Sequence, residues 1–142
     1  MNAPREGYFW DVMLGRKPPP PAGALLGFRL LEADPEQQRI RIEFQAKPEF
    51  VNPVGNIQGG FLAAMLDDTL GPAVVQTLGP NQFAPTLELK VSFLKPAKPG
   101  ILIGEGRVLK KGRSIAFMSG ELRDAEGDIV ASATATAMIV AR

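Results

Sequence analysis

Residues 52–68, which read NPVGNIQGGFLAAMLDD, decide how this chain is interpreted. Gly59 and Gly60 begin a stretch in which apolar residues recur at helical spacing, and Asp67 and Asp68 follow the second glycine by seven and eight positions. A helix start exposes unpaired N–H groups, which attract an anion or a carbonyl oxygen that is gaining negative charge. The stretch therefore predicts an oxyanion-binding helix start with two carboxylates further along the helix.

Three neutral amides, those of Asn52, Asn56 and Gln58, accompany the paired glycines. Such groups donate a hydrogen bond to a carbonyl or position a water without titrating. A purely structural interpretation is also open, in which Asn56 caps the helix and the glycines form a tight turn. The residues alone do not choose between the two.

The composition excludes several classes of function. The 142 residues contain no histidine and no cysteine, so a Ser-His or Cys-His nucleophile pair and a thiolate metal site are excluded. Sixteen Lys and Arg balance fifteen Asp and Glu, and this formal charge of +1 gives no nucleic-acid footprint. Residues 1–30 do not resemble a signal peptide, and no apolar run is long enough to span a membrane. We expect a cytoplasmic protein without metal or cofactor.

The chain divides into an N-terminal part, residues 1–23, and one domain, residues 24–142. The N-terminal part predicts a short helix over 8–14 and a polyproline connector over 18–21. In the domain, apolar runs and strict alternation predict six strands. Their ranges are 25–31, 39–44, 87–93, 101–109, 114–123 and 129–140.

A change from period two to helical period marks the one long helix, residues 59–78. Pro72 interrupts this pattern and predicts a kink or a division of the helix. A single helix inserted into a series of antiparallel strands indicates an α+β fold in which the sheet wraps a central helix. Small residues on both sides of the last strand suggest close packing beneath that helix or at a subunit contact.

The distance between glycines and acids on the helix has a consequence for assembly. Asp67 and Asp68 diverge to opposite flanks of the apolar stripe, so periodicity does not select one of them. Eight residues of helix span about 12 Å, so Gly59 and Asp67 of one chain are poorly placed to act on the same carbonyl. If the two share a reaction, the active unit is at least a dimer.

At these residues the chain resembles the hotdog-fold thioesterases, in particular the phenylacetate-degradation (PaaI-like) branch of acyl-CoA thioesterases. In that family, an Asn-x-x-Gly-x-x-His-Gly-Gly motif leads into the central helix, and an acidic residue follows seven positions after the second glycine. Six residues of this chain occupy the corresponding positions. Those residues are Asn52, Gly55, Gln58, Gly59, Gly60 and Asp67. Thr86 matches the residue that opens the next strand, and residues 96–100 and Gly112-Arg113 match later turns. The resemblance covers approximately residues 25–140 and implies a homodimer or homotetramer.

The resemblance implies that Asp67 attacks the thioester, or activates the attacking water, across a dimer interface. It also implies that the backbone N–H of Gly59 donates to the thioester oxygen and that Asn52 orients water or substrate. Substrate contacts are expected from Gly60, Phe61, Thr86, Asp68 and Arg113, with Thr86 lining the site from the partner chain. Five aromatic residues are candidates for the wall of an acyl or aryl pocket, and they are Phe9, Trp10, Phe50, Phe61 and Phe83. Phe61 is favoured because it adjoins Gly60, and Arg113 has a fork suited to the phosphates of coenzyme A.

The departure from the family is Gln58, which stands where most of this branch has histidine. Its amide can polarise a carbonyl but cannot carry a proton, which also counts against hotdog dehydratases and hydratases. The expected function is hydrolysis of an acyl-CoA thioester. The alternatives are a non-hydrolytic module that binds acyl thioesters or lipids, and a thioesterase that acts on an acyl carrier protein.

Overall fold

A computed structural model describes residues 5–141 of the chain. Residues 1–4 of the predicted N-terminal part and residue 142 of the predicted domain lie outside the described residues. The elements in chain order are α1 (Tyr8–Met13), α2 (Pro21–Leu25), β1 (Arg29–Asp34), β2 (Arg39–Ala46), a 3-10 turn (Pro48–Phe50), α3 (Gly59–Val75), β3 (Gln82–Phe83), β4 (Thr86–Phe93), β5 (Gly100–Lys111), β6 (Ile115–Arg123), β7 (Ile129–Met138) and β8 (Val140–Ala141).

Six of the strands form one antiparallel sheet in the order β1-β2-β5-β6-β7-β4. The two shortest strands, β3 and β8, pair separately. Alternation along β2 forms the inner face of the sheet, because Ile40, Ile42 and Phe44 are buried while Arg39 and Arg41 are exposed. This arrangement confirms the predicted α+β fold.

The long helix α3 packs on the inner face of the sheet. Its buried residues recur at helical spacing, as predicted, and they are Leu62, Met65, Leu66, Thr69, Leu70, Ala73 and Val74. The small residues of β7 predicted to allow close packing are buried on one side of the strand. Gly104 of β5 is a second close approach, because a Cβ there would collide with the hydroxyl of Thr69. Because Gly104 has no side chain, α3 can lie close to the sheet at this point.

Two local expectations are wrong. The apolar run predicted as a strand over 25–31 begins as α2, because Pro21 occupies the first helical turn, where its fixed φ is favourable, and β1 starts only at Arg29. An apolar run alone does not distinguish a buried helix from a strand. Of the kink or division predicted at Pro72, the division is wrong, because α3 continues through Pro72 to Val75.

The N-terminal part folds back over the C-terminal half of α3. The predicted helix over 8–14 is confirmed as α1, and Trp10 is its buried residue. A Cβ added to Gly7 would lie 3.0 Å from the Cα of Pro80, which places this segment against the loop that follows α3. The predicted domain boundary after residue 23 falls inside α2.

Candidate functional site

The start of α3 presents backbone donors, as the sequence predicts. Gln58 is the N-cap residue, its side chain makes no capping hydrogen bond, and its carbonyl accepts from the N–H of Phe61 at 2.9 Å. In the described part of the chain, the N–H groups of Gly59 and Gly60 donate to no backbone carbonyl. The helix start therefore has two N–H groups available for a ligand oxygen.

Space around the two glycines differs. A Cβ on Gly59 would lie 3.0 Å from Cζ of Phe93, whereas a Cβ on Gly60 would meet nothing within 4 Å. The Phe93 ring thus lies against the first turn of the helix, and it is itself exposed. Gly60 faces open space in the single chain.

Asn52 organises the loop that precedes the helix. Its Oδ1 accepts from the N–H groups of Val54 at 3.0 Å and Asn56 at 3.1 Å, and its own N–H donates to the Asn56 carbonyl at 2.7 Å. Asn56 does not cap α3, since Gln58 holds the cap position. The structural role proposed for Asn56 from the sequence is therefore wrong, while Asn52 fixes the approach to the helix.

Asp67 lies eight residues along α3 from Gly59, on an exposed part of the helix. The hydroxyl of Thr86, the first residue of β4, donates to Asp67 Oδ1 over 2.9 Å. This bond holds the carboxylate in one orientation, and it joins two residues of the same chain.

Asp68 points to a different side of α3 and has no hydrogen-bond partner among residues 5–141. Its Oδ2 is fully buried, and a Cβ on Gly23 of α2 would lie 3.8 Å from it. Burial, followed by the negative charge of Asp67, raises the pKa of Asp68 to about 6. The two adjacent carboxyls therefore have different environments.

Both acids and Thr86 line one cavity of about 420 Å³. The cavity lies between the C-terminal half of α3, the N-terminal part and the loop that leads into β4. Aromatic residues make much of its wall, and they are Tyr8, Phe9, Trp10, Phe28 and Phe83. An apolar cavity of this size with few polar groups suits a small acyl or aryl group.

The remaining sequence-predicted residues lie elsewhere. Phe61 stacks on the buried ring of Phe50, with ring centroids 4.1 Å apart, and does not line the cavity. Arg113 is exposed in the turn between β5 and β6, and no hydrogen bond or ion pair holds it within residues 5–141. The helix-start residues are likewise separate from the cavity, so one chain contains two groups of site residues rather than one.

Sequence reasoning missed part of the cavity wall. Phe28, Pro72 and Val75 line it, but their apolar character indicated only a core or a kinked helix. The aromatic residues Phe9 and Trp10 are candidates for a pocket wall from the sequence alone. Their position over α3 depends on packing between segments that are distant in sequence.

Neither a metal centre nor a membrane-spanning helix is found in the described part of the chain. Among residues 5–141, no group of three or more Asp or Glu side chains converges as metal ligands would. No helix in that range is both long and apolar enough to cross a membrane.

Comparisons with known proteins agree with this geometry. The model of the family described as the thioesterase superfamily matches residues 54–131, which include α3, β4, β5 and β6. The crystal structure of a phenylacetic acid degradation-related protein from Ralstonia eutropha JMP134 has a TM-score of 0.90 and 39% identity, and the match covers 93% of this chain and 99% of that one.

Two further proteins are similar at lower identity. The PaaI protein of the E. coli phenylacetic acid degradation operon shares the fold, with a TM-score of 0.82, 16% identity and 93% of each chain covered. Acyl-coenzyme A thioesterase 13 of Homo sapiens is 28% identical over 97 residues, which are 66% of this chain and 67% of that protein. With a family match over more than half of its length and the hotdog fold predicted from its motif, the chain belongs to the thioesterase superfamily.

Proposed function

We propose that this protein is an acyl-CoA thioesterase whose active site is shared between two chains. The observation that carries the proposal is the separation of the site residues along α3. Unpaired N–H groups lie at its start, and an oriented carboxylate lies eight residues, or about 12 Å, away. The helix start would bind the carbonyl oxygen and the carboxylate would activate water. An antiparallel α3 helix from a second chain would bring these two groups together.

The edge strand β4 supports such a pairing. It has a hydrogen-bonded neighbour, β7, on one side only, and it is at the end of the sheet. Leu87, Phe93 and Leu94 on and beside it are large, apolar and exposed. A long exposed apolar edge is a template for another strand. Two copies joined along β4 would form one continuous sheet and place the two α3 helices side by side.

In the proposed reaction, Asp67 takes a proton from water while the oxygen of that water adds to the thioester carbon. The carbonyl oxygen gains negative charge and is stabilised by the partner's helix start, through the backbone N–H of the residue equivalent to Gly59. The carbon–sulfur bond then breaks, the acid is released, and the proton passes to the sulfur of coenzyme A. Direct attack by Asp67 is the variant of this scheme, with water cleaving the resulting anhydride.

The other predicted residues fit around this step. Gln58 is exposed beside the N–H donors and can add an amide hydrogen bond to the carbonyl, although it moves no proton. Asn52 holds the loop that aims the donors. Arg113 is an exposed cation without an internal partner, and it is available to the phosphates of coenzyme A.

The test mixes two inactive variants. Asp67→Asn removes the carboxylate, and Gly59→Pro removes the N–H while keeping a residue that is accepted at a first helical position. Gln58 already has φ −57° and ψ 134°, which a following proline favours. We expect each variant alone to release thiol from acyl-CoA about a thousandfold more slowly than the wild type.

In an equimolar mixture of exchanged subunits, half of the dimers are mixed and each carries one intact site, so about one quarter of the wild-type activity returns. A mixture that stays as inactive as its components would show that the two halves do not act across chains. If the wild type releases thiol from no acyl-CoA yet binds acyl thioesters, the non-hydrolytic alternative is correct. Turnover of acyl carrier protein substrates far above the matching CoA esters would instead favour the carrier-protein alternative.

A further inference from the structure

One polar group in the cavity has no part in the proposed reaction. The carboxyl of Asp68 lines the cavity beside Asp67 and makes no hydrogen bond in the part of the chain that the structure describes. Its Oδ2 is buried without a hydrogen-bond partner among residues 5–141, and Gly23 of α2, whose added Cβ would lie 3.8 Å from this oxygen, lines the same cavity. The Asp68 carboxyl is therefore a polar group without a partner at the wall of the cavity. A partly buried carboxyl without a partner costs stability, so its presence in an otherwise apolar wall calls for a ligand group.

The surroundings of Asp68 offer acceptors rather than cations. The titratable residues that line the cavity are Glu6, Tyr8, Asp67 and Asp68, with neither lysine nor arginine among them. Pro72 also lines the cavity and has no N–H to donate to the carbonyl of Asp68, four residues before it. Among the described residues, the neutral donors that line the cavity, those of Tyr8, Trp10, Gln82 and Thr86, make no hydrogen bond to Asp68. A ligand that supplies a donor is complementary to it, and a ligand that carries a second carboxylate is not.

We propose that Asp68 is a specificity-determining residue that binds a hydroxyl group on the acyl chain of the substrate. The inference rests on the proposed thioesterase function and names the acyl groups that this site prefers. The hydroxyl would donate to the Asp68 carboxyl while the apolar part of the chain contacts the aromatic wall. Acyl groups that end in a methyl at the same place leave the carboxyl unpaired.

The helix geometry also sets where the hydroxyl lies. Asp67 and Asp68 are adjacent on α3, so their side chains diverge by about 100° and their carboxyl carbons lie about 7 Å apart. If the thioester carbon lies against Asp67, the hydroxyl is some six bonds further along the acyl chain. A six-carbon acyl group with a terminal hydroxyl has this length.

The experiment compares two substrates of equal size. The substrates are ω-hydroxyhexanoyl-CoA and heptanoyl-CoA, which differ by a hydroxyl in place of a methyl, and the measurement is the ratio of their kcat/KM values. A hydrogen bond to a charged group corresponds to a preference for the hydroxylated substrate of about tenfold to a hundredfold in the wild type. Adipoyl-CoA, which carries a carboxylate at the same end, is expected to be the poorest of the three.

Two variants test the residue. In Asp68→Leu the preference should vanish or reverse, and in Asp68→Asn, whose amide oxygen still accepts, part of it should remain. A merely structural role for Asp68 would slow both substrates equally and leave the ratio unchanged, which would overturn the proposal. Equal rates on both substrates in the wild type would overturn it as well.

The proposed function can fail separately from this inference. If the wild type hydrolyses neither ester, calorimetric titration with the non-cleavable thioether analogues of the same two substrates measures the same preference as a ratio of Kd values. Hydroxyl preference in binding, lost in Asp68→Leu, supports the role of Asp68 without hydrolysis. No preference in binding contradicts it.

Discussion

Replacing Asp68 by asparagine should make the protein more stable at neutral pH. Burial raises the pKa of this carboxyl in the folded protein from its ordinary value of 3.8 to about 6. Below 3.8 the carboxyl is protonated in both states; as the pH rises through 6, the folded protein must ionise a buried group. Since one pKa unit corresponds to about 1.4 kcal/mol, the ionised carboxyl costs about 3 kcal/mol of the free energy of unfolding above pH 7.

The pH dependence of this gain separates it from other effects of the substitution. Near pH 4.5 the cost is about 1 kcal/mol, so the advantage of Asp68→Asn should grow by about 2 kcal/mol between pH 4.5 and pH 7.5. Any cost of burying the new amide does not change with pH and cancels in this difference. Glu6 and Asp67 are the other carboxyls that line the cavity, and both are unchanged in the variant.

Urea unfolding at both pH values, at one protomer concentration, measures the difference. Glu36→Gln, which removes a carboxylate from the exposed turn between β1 and β2, is the matched control for the loss of one negative charge. A gain of equal size at both pH values, or the same pH-dependent gain in the control, would refute the reasoning.

Three further substitutions test the site and its support. Thr86→Val deletes the 2.9 Å hydrogen bond to Asp67, so kcat for thiol release should fall about tenfold while Thr86→Ser retains most activity; equal rates for both variants would contradict an orienting role. A Cβ on Gly71 would meet no atom within 4 Å outside its chain neighbours and its own helix, but the ring of Pro72 crowds a preceding Cβ, so Gly71→Ala should change the free energy of unfolding in denaturant by less than about 1 kcal/mol, and a larger loss would be inconsistent with the open space. Gly104→Ala would push a Cβ into Thr69, so thermal unfolding should show a loss of about 2 kcal/mol, and an unchanged Tm would argue against the close approach.

Much of the fold follows from local pattern. Strict alternation in β2 and helical spacing in α3 each report a single buried face, and burial is what forms these elements. The beginning of β1 was not predictable in the same way, because the apolar residues of α2 are compatible with either structure. Pro72 removes one backbone hydrogen bond from α3, which is why the sequence predicts an interruption there. Packing of α3 on the sheet keeps the helix continuous.

The positions of the candidate residues along α3 could be predicted from the sequence, but their surroundings could not. The helix start and Asp67 could be placed because both lie on one continuous helix of known rise. The different environments of Asp67 and Asp68 could not, since they depend on α2 and on the N-terminal part, which are distant in sequence. The hydrogen bond from Thr86 likewise depends on how β4 returns beside α3.

The wall of the cavity formed by α1 has a consequence for how this protein could diversify. Tyr8, Phe9 and Trp10 lie outside residues 54–131, the range that the thioesterase superfamily shares. The proposed reaction depends on residues in and just before α3, together with Thr86, whereas the fit of the acyl group depends partly on a segment before the first strand of the sheet. A change in that segment can alter which substrate is accepted while the shared helix keeps its chemistry.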